Sequence, residues 1–199
     1  RVMTLDTHVD ISPTAFRRDS TNYVTGIARN QVDIPKMESG GLDAAFLIVY
    51  VGQARTIDSA TMASAYAQAM EKFAAVHRLT DSLAPTRVGF ARTADEARRI
   101  YASGRKVIFI GIENGFSVGT DLARIRQFAE LGGSYLSLAH NGHSQLSDSN
   151  TGERDGVWLH NGLSPLGRQA VGELNKWGIM IDISHPSKAS MMQTLELTK

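Results

Sequence analysis

The chain has 199 residues, 42% of them hydrophobic, which is enough to bury a sizeable core and is typical of a globular protein. Its 21 Lys and Arg residues nearly balance its 20 Asp and Glu residues, so no net charge favours binding to nucleic acid or to an anionic membrane. It contains no cysteine, which excludes disulfides and thiolate metal sites and leaves imidazole and carboxylate as metal ligands. The longest apolar runs, 46–51 and 107–112, are too short to cross a bilayer.

Short β-branched runs alternate with longer segments of helical periodicity, a pattern typical of βα units around a parallel sheet. The first run begins almost at the start of the chain with no signal peptide before it, so we expect that an upstream segment was removed or is not included. The sequence predicts five strands, at 3–10, 44–51, 106–112, 134–140 and 179–185.

Helix starts are marked by Ser, Thr or Asp just before the helical segments, where their side chains can accept hydrogen bonds from free backbone N–H groups. The predicted first residues or caps, in chain order, are Asp58, Thr93 (with Glu96 as a capping box), Thr120 or Asp121, Ser164 (with Pro165) and Ser187. The irregular spacing of these units predicts an elaborated barrel more than a strict repeat.

Two long polar connections interrupt the alternation, at 11–38 and 141–162. Both follow the carboxyl end of a predicted strand, where barrel enzymes build their active sites, so we expect them to carry function. The alternative is a disordered surface insertion, which Trp158, Leu159 and Leu163 argue against because they look packed.

His8 and Asp10 lie two residues apart on the first predicted strand. Because side chains alternate along a strand, both point to the same face and could bind one cation. An imidazole and a carboxylate together suit zinc. Taken alone, the motif fits equally a structural histidine beside an Asp that caps a turn.

Glu113 ends the almost wholly apolar third strand, and a buried carboxylate needs a partner. A pair of metal ions is one such partner; a helix cap at Asn114 or an ion pair with an arginine is the alternative. The next two predicted strands end in His140 and His185, so four of the five end in His, Asp or Glu. In a closed parallel barrel such ends converge on one mouth.

The remaining polar candidates are weaker. His77 falls inside an amphipathic helix and is predicted to be structural. His143 and His160 lie in the loop after His140. The sequence allows either of two roles for them, contact with the substrate or simple exposure to solvent. Asp182 alternates with the inward-facing residues of its strand and is predicted to be a buried hydrogen-bonding residue, not a ligand.

Taken together, these residues resemble the renal (membrane) dipeptidase family of metallopeptidases, peptidase family M19, in a bacterial-type form. Five stretches carry the resemblance in order along the chain: DTHVD at 6–10, QVDIPKMESGGLDAAF at 31–46, GIENG at 111–115, YLSLAHNGHSQLSDS at 135–149 and GLSPLGRQAVGELNKWGIMIDISHPS at 162–187. GIENG alone is nonspecific, but five ordered blocks make chance agreement improbable. Asn114 stands where vertebrate members often have glycine.

The resemblance implies an α/β fold, a distorted (β/α)8 TIM-like barrel of the metal-dependent hydrolase type that carries two zinc ions. It matches His8 and Asp10 to ligands of one zinc, Glu113 to the carboxylate bridging both, and His185 to a ligand of the second. It matches His140 to a catalytic, substrate-binding residue near the scissile carbonyl. Residues 1–199 would then be the N-terminal portion of a single barrel domain, covering about the first five strands. The remaining ligand, a substrate-binding arginine and a catalytic aspartate would lie beyond Lys199.

The activity implied is hydrolysis of L-Xaa-L-Xaa or L-Xaa-D-Xaa dipeptides by a hydroxide that bridges the zinc ions, with His140 stabilising the oxyanion. We further expect a homodimer and a periplasmic or secreted location in preference to a cytoplasmic one. Two alternatives remain at this point. One is another amidohydrolase-type barrel acting on a different amide or lactone, and the other is a catalytically silent barrel that serves as a binding module.

Overall fold

The computed structural model describes residues 2–18 and 21–199. Its internal contacts divide the chain into two compact units, Arg1–Val49 with Met70–Gly111, and Tyr50–Ala69 with Ile112–Lys199. Each unit contains parallel strands with helices in the connections between them. No helix in the described ranges combines the length and the apolar character needed to cross a bilayer.

The first unit holds the strands β1 (Leu5–Asp10), β2 (Ala44–Tyr50, whose last residue belongs to the second unit), β3 (Val88–Phe90) and most of β4 (Lys106–Glu113). Their order is β1-β2-β4, and β3 pairs with β4. The helices are α1 (Ile34–Gly40), the end of α2 (Ser59–Arg78) and α3 (Ala94–Ala102), with shorter turns at Pro13–Phe16 and Leu79–Leu83. The two central strands, β2 and β4, are almost wholly buried.

The second unit contains the end of β4, followed by β5 (Gly133–Ser137) and β6 (Met180–Asp182), which pair in parallel. Its helices are the start of α2, then α4 (Ala123–Glu130), α5 (Asn150–Arg154), α6 (Pro165–Trp177) and α7 (Lys188–Leu197). A short turn at Gly115–Val118 follows β4 directly. The carboxyl ends of these strands hold the polar residues that the sequence singled out.

Four of the five predicted helix caps are confirmed. Thr93, Ser164 and Ser187 each accept a hydrogen bond from a backbone N–H of the first helical turn. The Asp58 carboxylate accepts from the Thr61 N–H at 2.8 Å. The exception is the cap predicted at Thr120 or Asp121, because α4 begins at Ala123 after Leu122, and Asp121 accepts from the Ala123 N–H at 3.0 Å without being the cap residue. These caps depend on contacts three residues apart or closer, so the local sequence is sufficient to predict them.

All five predicted strands are present, with somewhat different ends, and the described residues form a sixth strand that the sequence analysis did not predict. The additional strand, β3, is only three residues long and contains Gly89, so it lacks the alternating pattern of a strand. Glycine fits there because a Cβ atom would lie 2.9 Å from Ile100 Cγ2 on α3. A helix, α1, also lies in the stretch 11–38 that the sequence predicted to be a connection.

A β-bulge distorts β1 beside the candidate ligands. Leu5 and Asp6 pair with Ala44 and Ala45, whereas Val9 and Asp10 pair with Leu47 and Ile48, so β1 contains one extra residue between Asp6 and Val9. Bulges of this kind redirect the side chains that follow them. His8 within the bulge and Asp10 after it are exposed, while Val9 between them is buried.

Candidate metal centre

A carboxylate and two imidazoles meet in the second unit. Glu113 is the last residue of β4 and is only 5% exposed. Its Oε1 atom lies 3.0 Å from His185 Nε2 and 3.5 Å from His140 Nε2. The three side chains each offer a ligand atom within 4.8 Å of the others, a spacing that would allow them to share one cation. The structure therefore brings together three of the five predicted site residues.

His140 and His185 reach this cluster from loops, since each lies three residues beyond the last residue of its strand. The sequence placed both of them at the strand ends, so the predicted strand lengths were wrong although the position of the side chains at the carboxyl edge was right. Their rings pack with centroids 4.2 Å apart, and the ring of Tyr50 contacts His140 at 4.8 Å. These ring contacts limit how far either imidazole can turn.

The chemistry of the donor set fits a zinc ion. Imidazole nitrogen and carboxylate oxygen are ligands that zinc accepts, and no cysteine is needed. Nε2 of His185 faces the Glu113 carboxylate, where a cation would bind, whereas Nδ1 of the same ring is buried and has no hydrogen-bond partner among the described residues. A nearly buried carboxylate between two imidazoles also gains most from a cation, because it has little access to water.

Asn114 sets the direction of the chain immediately after Glu113. It is fully buried and has a φ of 77°, in the left-handed region that non-glycine residues seldom adopt. Its Nδ2 atom donates to the carbonyl of Val51, and its Oδ1 atom accepts from the N–H of Phe116. Asn114 thus caps the turn at Gly115–Val118, and the Glu113 carboxylate remains available for the imidazoles.

His8 and Asp10 lie in the first unit, at the carboxyl end of β1. His8 Nε2 is 4.0 Å from Asp10 Oδ1, which confirms that the two side chains share a face. The side chains are 42% and 73% exposed and line a cavity of about 270 Å³ together with Asp6, Val9, Asn30, Gln31 and Val32. Their role as ligands of a cation remains a prediction.

The loop after β5 is organised around one buried carboxylate that the sequence did not single out. Asp148 is fully buried and accepts hydrogen bonds from the N–H groups of Leu159, His160 and Gly162. Its Oδ1 atom also lies 3.0 Å from His143 Nδ1. In the sequence, Asp148 is one polar residue among many in a Ser-rich stretch, so only its weak turn-forming signal was available.

The other predictions for this region have mixed outcomes. Leu163 is packed, but Trp158 and Leu159 are 43% and 52% exposed, so the prediction that all three pack is wrong. Asp182 is half-buried and accepts a hydrogen bond from Ser184 Oγ at 2.6 Å, which agrees with a hydrogen-bonding role. His77 packs edge-on against Phe90, as expected for a structural histidine.

Comparison with known proteins identifies the family. The sequence profile of the membrane dipeptidases (peptidase family M19) matches residues 1–199. The chain is 30% identical over 185 residues to dipeptidase tcpJ of Claviceps purpurea and 32% identical over 171 residues to dipeptidase aclJ of Aspergillus oryzae. These alignments cover 92% and 85% of the chain but only 43% and 40% of the two relatives, so the chain spans less than half of their length.

Solved structures show the same fold. The probable dipeptidase PvdM of Pseudomonas aeruginosa aligns with a TM-score of 0.81 at 22% identity, covering 100% of this chain and 50% of that one. A metallopeptidase of Rhodobacter sphaeroides, bound to a phosphinate mimic of L-Ala-D-Ala, aligns with a TM-score of 0.80 at 22% identity, covering 100% and 63%. The fold class is therefore the α/β, TIM-like barrel class that the sequence predicted, and the chain belongs to the membrane dipeptidase family, peptidase family M19.

Proposed function

We propose that this chain is part of a zinc-dependent dipeptidase that hydrolyses L-Xaa-L-Xaa or L-Xaa-D-Xaa dipeptides. The observation that carries the proposal is the cluster of Glu113, His140 and His185 at the carboxyl ends of strands, in a chain that belongs to a metallopeptidase family. In this proposal, residues 1–199 form the N-terminal portion of a single barrel domain. A homodimer and a periplasmic or secreted location are parts of the same proposal.

We assign Glu113 and His185 as ligands of one zinc, and His8, Asp10 and Glu113 as ligands of the other. When bound, two zinc ions would polarise the substrate carbonyl and lower the pKa of the attacking water. Glu113 suits the shared position because both oxygens of a carboxylate can bind a cation. Nearly complete burial strengthens its attraction to cations.

His140 has a different role in this proposal. Its Nε2 atom is 3.5 Å from the Glu113 carboxylate, longer than the 3.0 Å of His185, and its ring is held by Tyr50. A ring in that position can donate a hydrogen bond to the oxygen that gains negative charge as the peptide carbonyl is attacked. We therefore assign His140 to substrate binding and oxyanion stabilisation.

The test is an assay of the full-length protein on a panel of L,L and L,D dipeptides, with the zinc content measured on the same sample. We expect hydrolysis that is lost on chelation and restored by zinc. Hydrolysis of cyclic amides or lactones without hydrolysis of dipeptides would support the amidohydrolase alternative. Bound zinc or ligand with no hydrolysis would support a binding module.

A further inference from the structure

A cavity of about 710 Å³ opens in the second unit beside the cluster of Glu113, His140 and His185. Two segments form most of its wall, the connection between β2 and α2 and the loop after β5. Its lining residues are Gln53, Ala54, Arg55, Ile57, Asn141, Gly142, His143, Gln145, Leu159 and His160.

This cavity adjoins the candidate metal centre at two points. Asn141 in its wall directly follows His140 in the chain. The Oε1 atom of Gln53 accepts a hydrogen bond from Asn114 Nδ2 at 3.3 Å, and Asn114 directly follows Glu113. The cavity wall is thus connected to both Glu113 and His140 through the residues that follow them in the chain.

The walls are fixed before any ligand binds. Gly142 has a φ of 106°, and a Cβ atom there would lie 3.0 Å from Gln53 Cγ, so the two segments pack directly on each other. The Nε2 atom of Gln145 donates to the carbonyls of Gly115 and Gly119, and Asp148 holds the far end of the loop through three backbone N–H groups. A preformed pocket loses little conformational entropy on binding, which favours selectivity.

The ionisable residues that line the cavity are all basic. Arg55 and two histidines line the cavity, and in the described part of the chain no Asp or Glu does. Arg55 is exposed and forms no ion pair or hydrogen bond with the described residues. Asp58, the nearest acidic residue in sequence, is occupied by the N–H and hydroxyl of Thr61. The guanidinium of Arg55 is therefore free to bind an anion.

The shape of this cationic group selects among anions. A guanidinium presents a planar fork of N–H donors that matches the two oxygens of a carboxylate. Ile57 and Leu159 add apolar surface suited to the methylene groups that precede a side-chain carboxylate.

We infer that this cavity is a subsite for the acidic side chain of an Asp- or Glu-containing dipeptide, with Arg55 as the residue that selects it. The inference rests on the proposed dipeptidase activity and names its substrate class. It predicts a preference for an acid over the amide of the same shape.

The experiment compares kcat/KM of the full-length protein for two isosteric pairs, L-Ala-L-Asp against L-Ala-L-Asn and L-Asp-L-Ala against L-Asn-L-Ala. In at least one pair we expect the acid to be hydrolysed about tenfold better, the size of one charge-assisted hydrogen bond. Arg55→Gln removes that preference, and Arg55→Glu reverses it. The matched control is Arg168→Gln, an exposed arginine on α6 outside the cavity wall, which keeps the preference.

Equal rates for acid and amide in both pairs, or a preference that survives Arg55→Gln, would overturn the inference. Calorimetric titration with L-Ala-L-Asp and L-Asp-L-Ala separates this failure from that of the proposed function. If neither these four dipeptides nor the L,D dipeptides of the wider panel are hydrolysed, the proposed dipeptidase activity is wrong. Binding of an acidic dipeptide that Arg55→Gln weakens about tenfold would then still support the subsite, and no binding of either acid would refute it.

Discussion

His185 Nε2 lies 3.0 Å from Glu113 Oε1, while Nδ1 of the same ring is buried without a hydrogen-bond partner among the described residues. A buried polar atom without a partner costs about 1–3 kcal/mol, so packing alone does not explain this arrangement. Such a cost is tolerated where a binding or catalytic role requires the residue. The pair is therefore the part of the cluster to test first.

Glu113→Gln in the full-length protein is expected to lower zinc content and to reduce dipeptide hydrolysis by more than about 100-fold. A neutral amide cannot offset the charge of two dications as a shared carboxylate does. Zinc per protein and kcat/KM are measured on one sample, with Glu71→Gln, an exposed glutamate on α2, as the matched control. Near-normal turnover with two bound zinc ions would show that Glu113 is not the shared ligand.

His140→Ala and His185→Ala are expected to affect different quantities, kcat in the first variant and zinc affinity in the second. Loss of His185 removes a ligand and lowers zinc affinity, whereas loss of His140 leaves zinc bound and lowers kcat by about 100-fold or more, with a smaller effect on KM. The reason is that a donor to developing oxyanion charge acts mainly in the transition state. Zinc affinity by chelator competition and steady-state kinetics decide between the roles, and loss of zinc from His140→Ala would make His140 a ligand.

Asn114→Ala is expected to destabilise the protein more than Asn114→Gly does, by about 1–2 kcal/mol. Both variants lose the side-chain hydrogen bonds to Val51 and Phe116, but only glycine adopts a φ of 77° without strain. Urea unfolding of the two variants isolates the backbone contribution. Equal stabilities would mean that the backbone relaxes out of this conformation when the side chain is removed.

Asp148→Asn is expected to cost about 2–4 kcal/mol of folding free energy and to loosen the loop after β5. An amide has only one acceptor oxygen for three N–H groups, and its own N–H₂ group would face donors. Amide hydrogen exchange at Leu159, His160 and Gly162 reports the loss directly. Asp155→Asn, an exposed change near the same loop, serves as the control, and similar exchange rates in both variants would rule out this role.

Asp33 is expected to make the free energy of unfolding decrease at acidic pH. Burial alone would raise its pKa, but hydrogen bonds from the N–H groups of Ile27 and Lys36 and the nearby ammonium of Lys36 outweigh burial and hold the pKa below 3.8. A carboxyl whose pKa is lower in the folded state stabilises the protein above its unfolded pKa and loses that contribution as the pH falls through its folded value.

The corresponding variant is Asp33→Asn, which is expected to be about 1–3 kcal/mol less stable than the wild type at pH 7, because the ion pair with Lys36 is lost and the amide nitrogen cannot accept the hydrogen bond from the Ile27 N–H. As the pH falls below the usual pKa of an Asp side chain, about 3.9, the gap in unfolding free energy narrows, since the unfolded wild type binds a proton that the folded carboxyl resists. Urea unfolding at a series of pH values measures the gap. A gap that stays constant down to pH 2 would contradict this account.

The sequence by itself determined the family, the fold class, most of the helix caps and the polar residues that follow the strands. Caps such as Ser164 and the shared face of His8 and Asp10 depend on residues two or three positions apart, where backbone geometry leaves few choices. For the same reason β3 was missed, since a three-residue strand containing Gly89 has no local pattern and forms only because β4 and α3 lie against it.

Only the tertiary structure decided which of these residues meet. The contacts of Glu113 with His140 and His185 join segments far apart in the chain, and the strands end before either histidine is reached. Asp148 becomes the centre of its loop because folding buries its carboxylate where the N–H groups of Leu159 and Gly162 donate to it, which no spacing in the sequence encodes. The role inferred for Arg55, the selection of an acidic side chain, likewise depends on the cavity whose wall the loop after β5 completes. Long-range packing brings that loop beside Arg55, so the local sequence around Arg55 does not predict it.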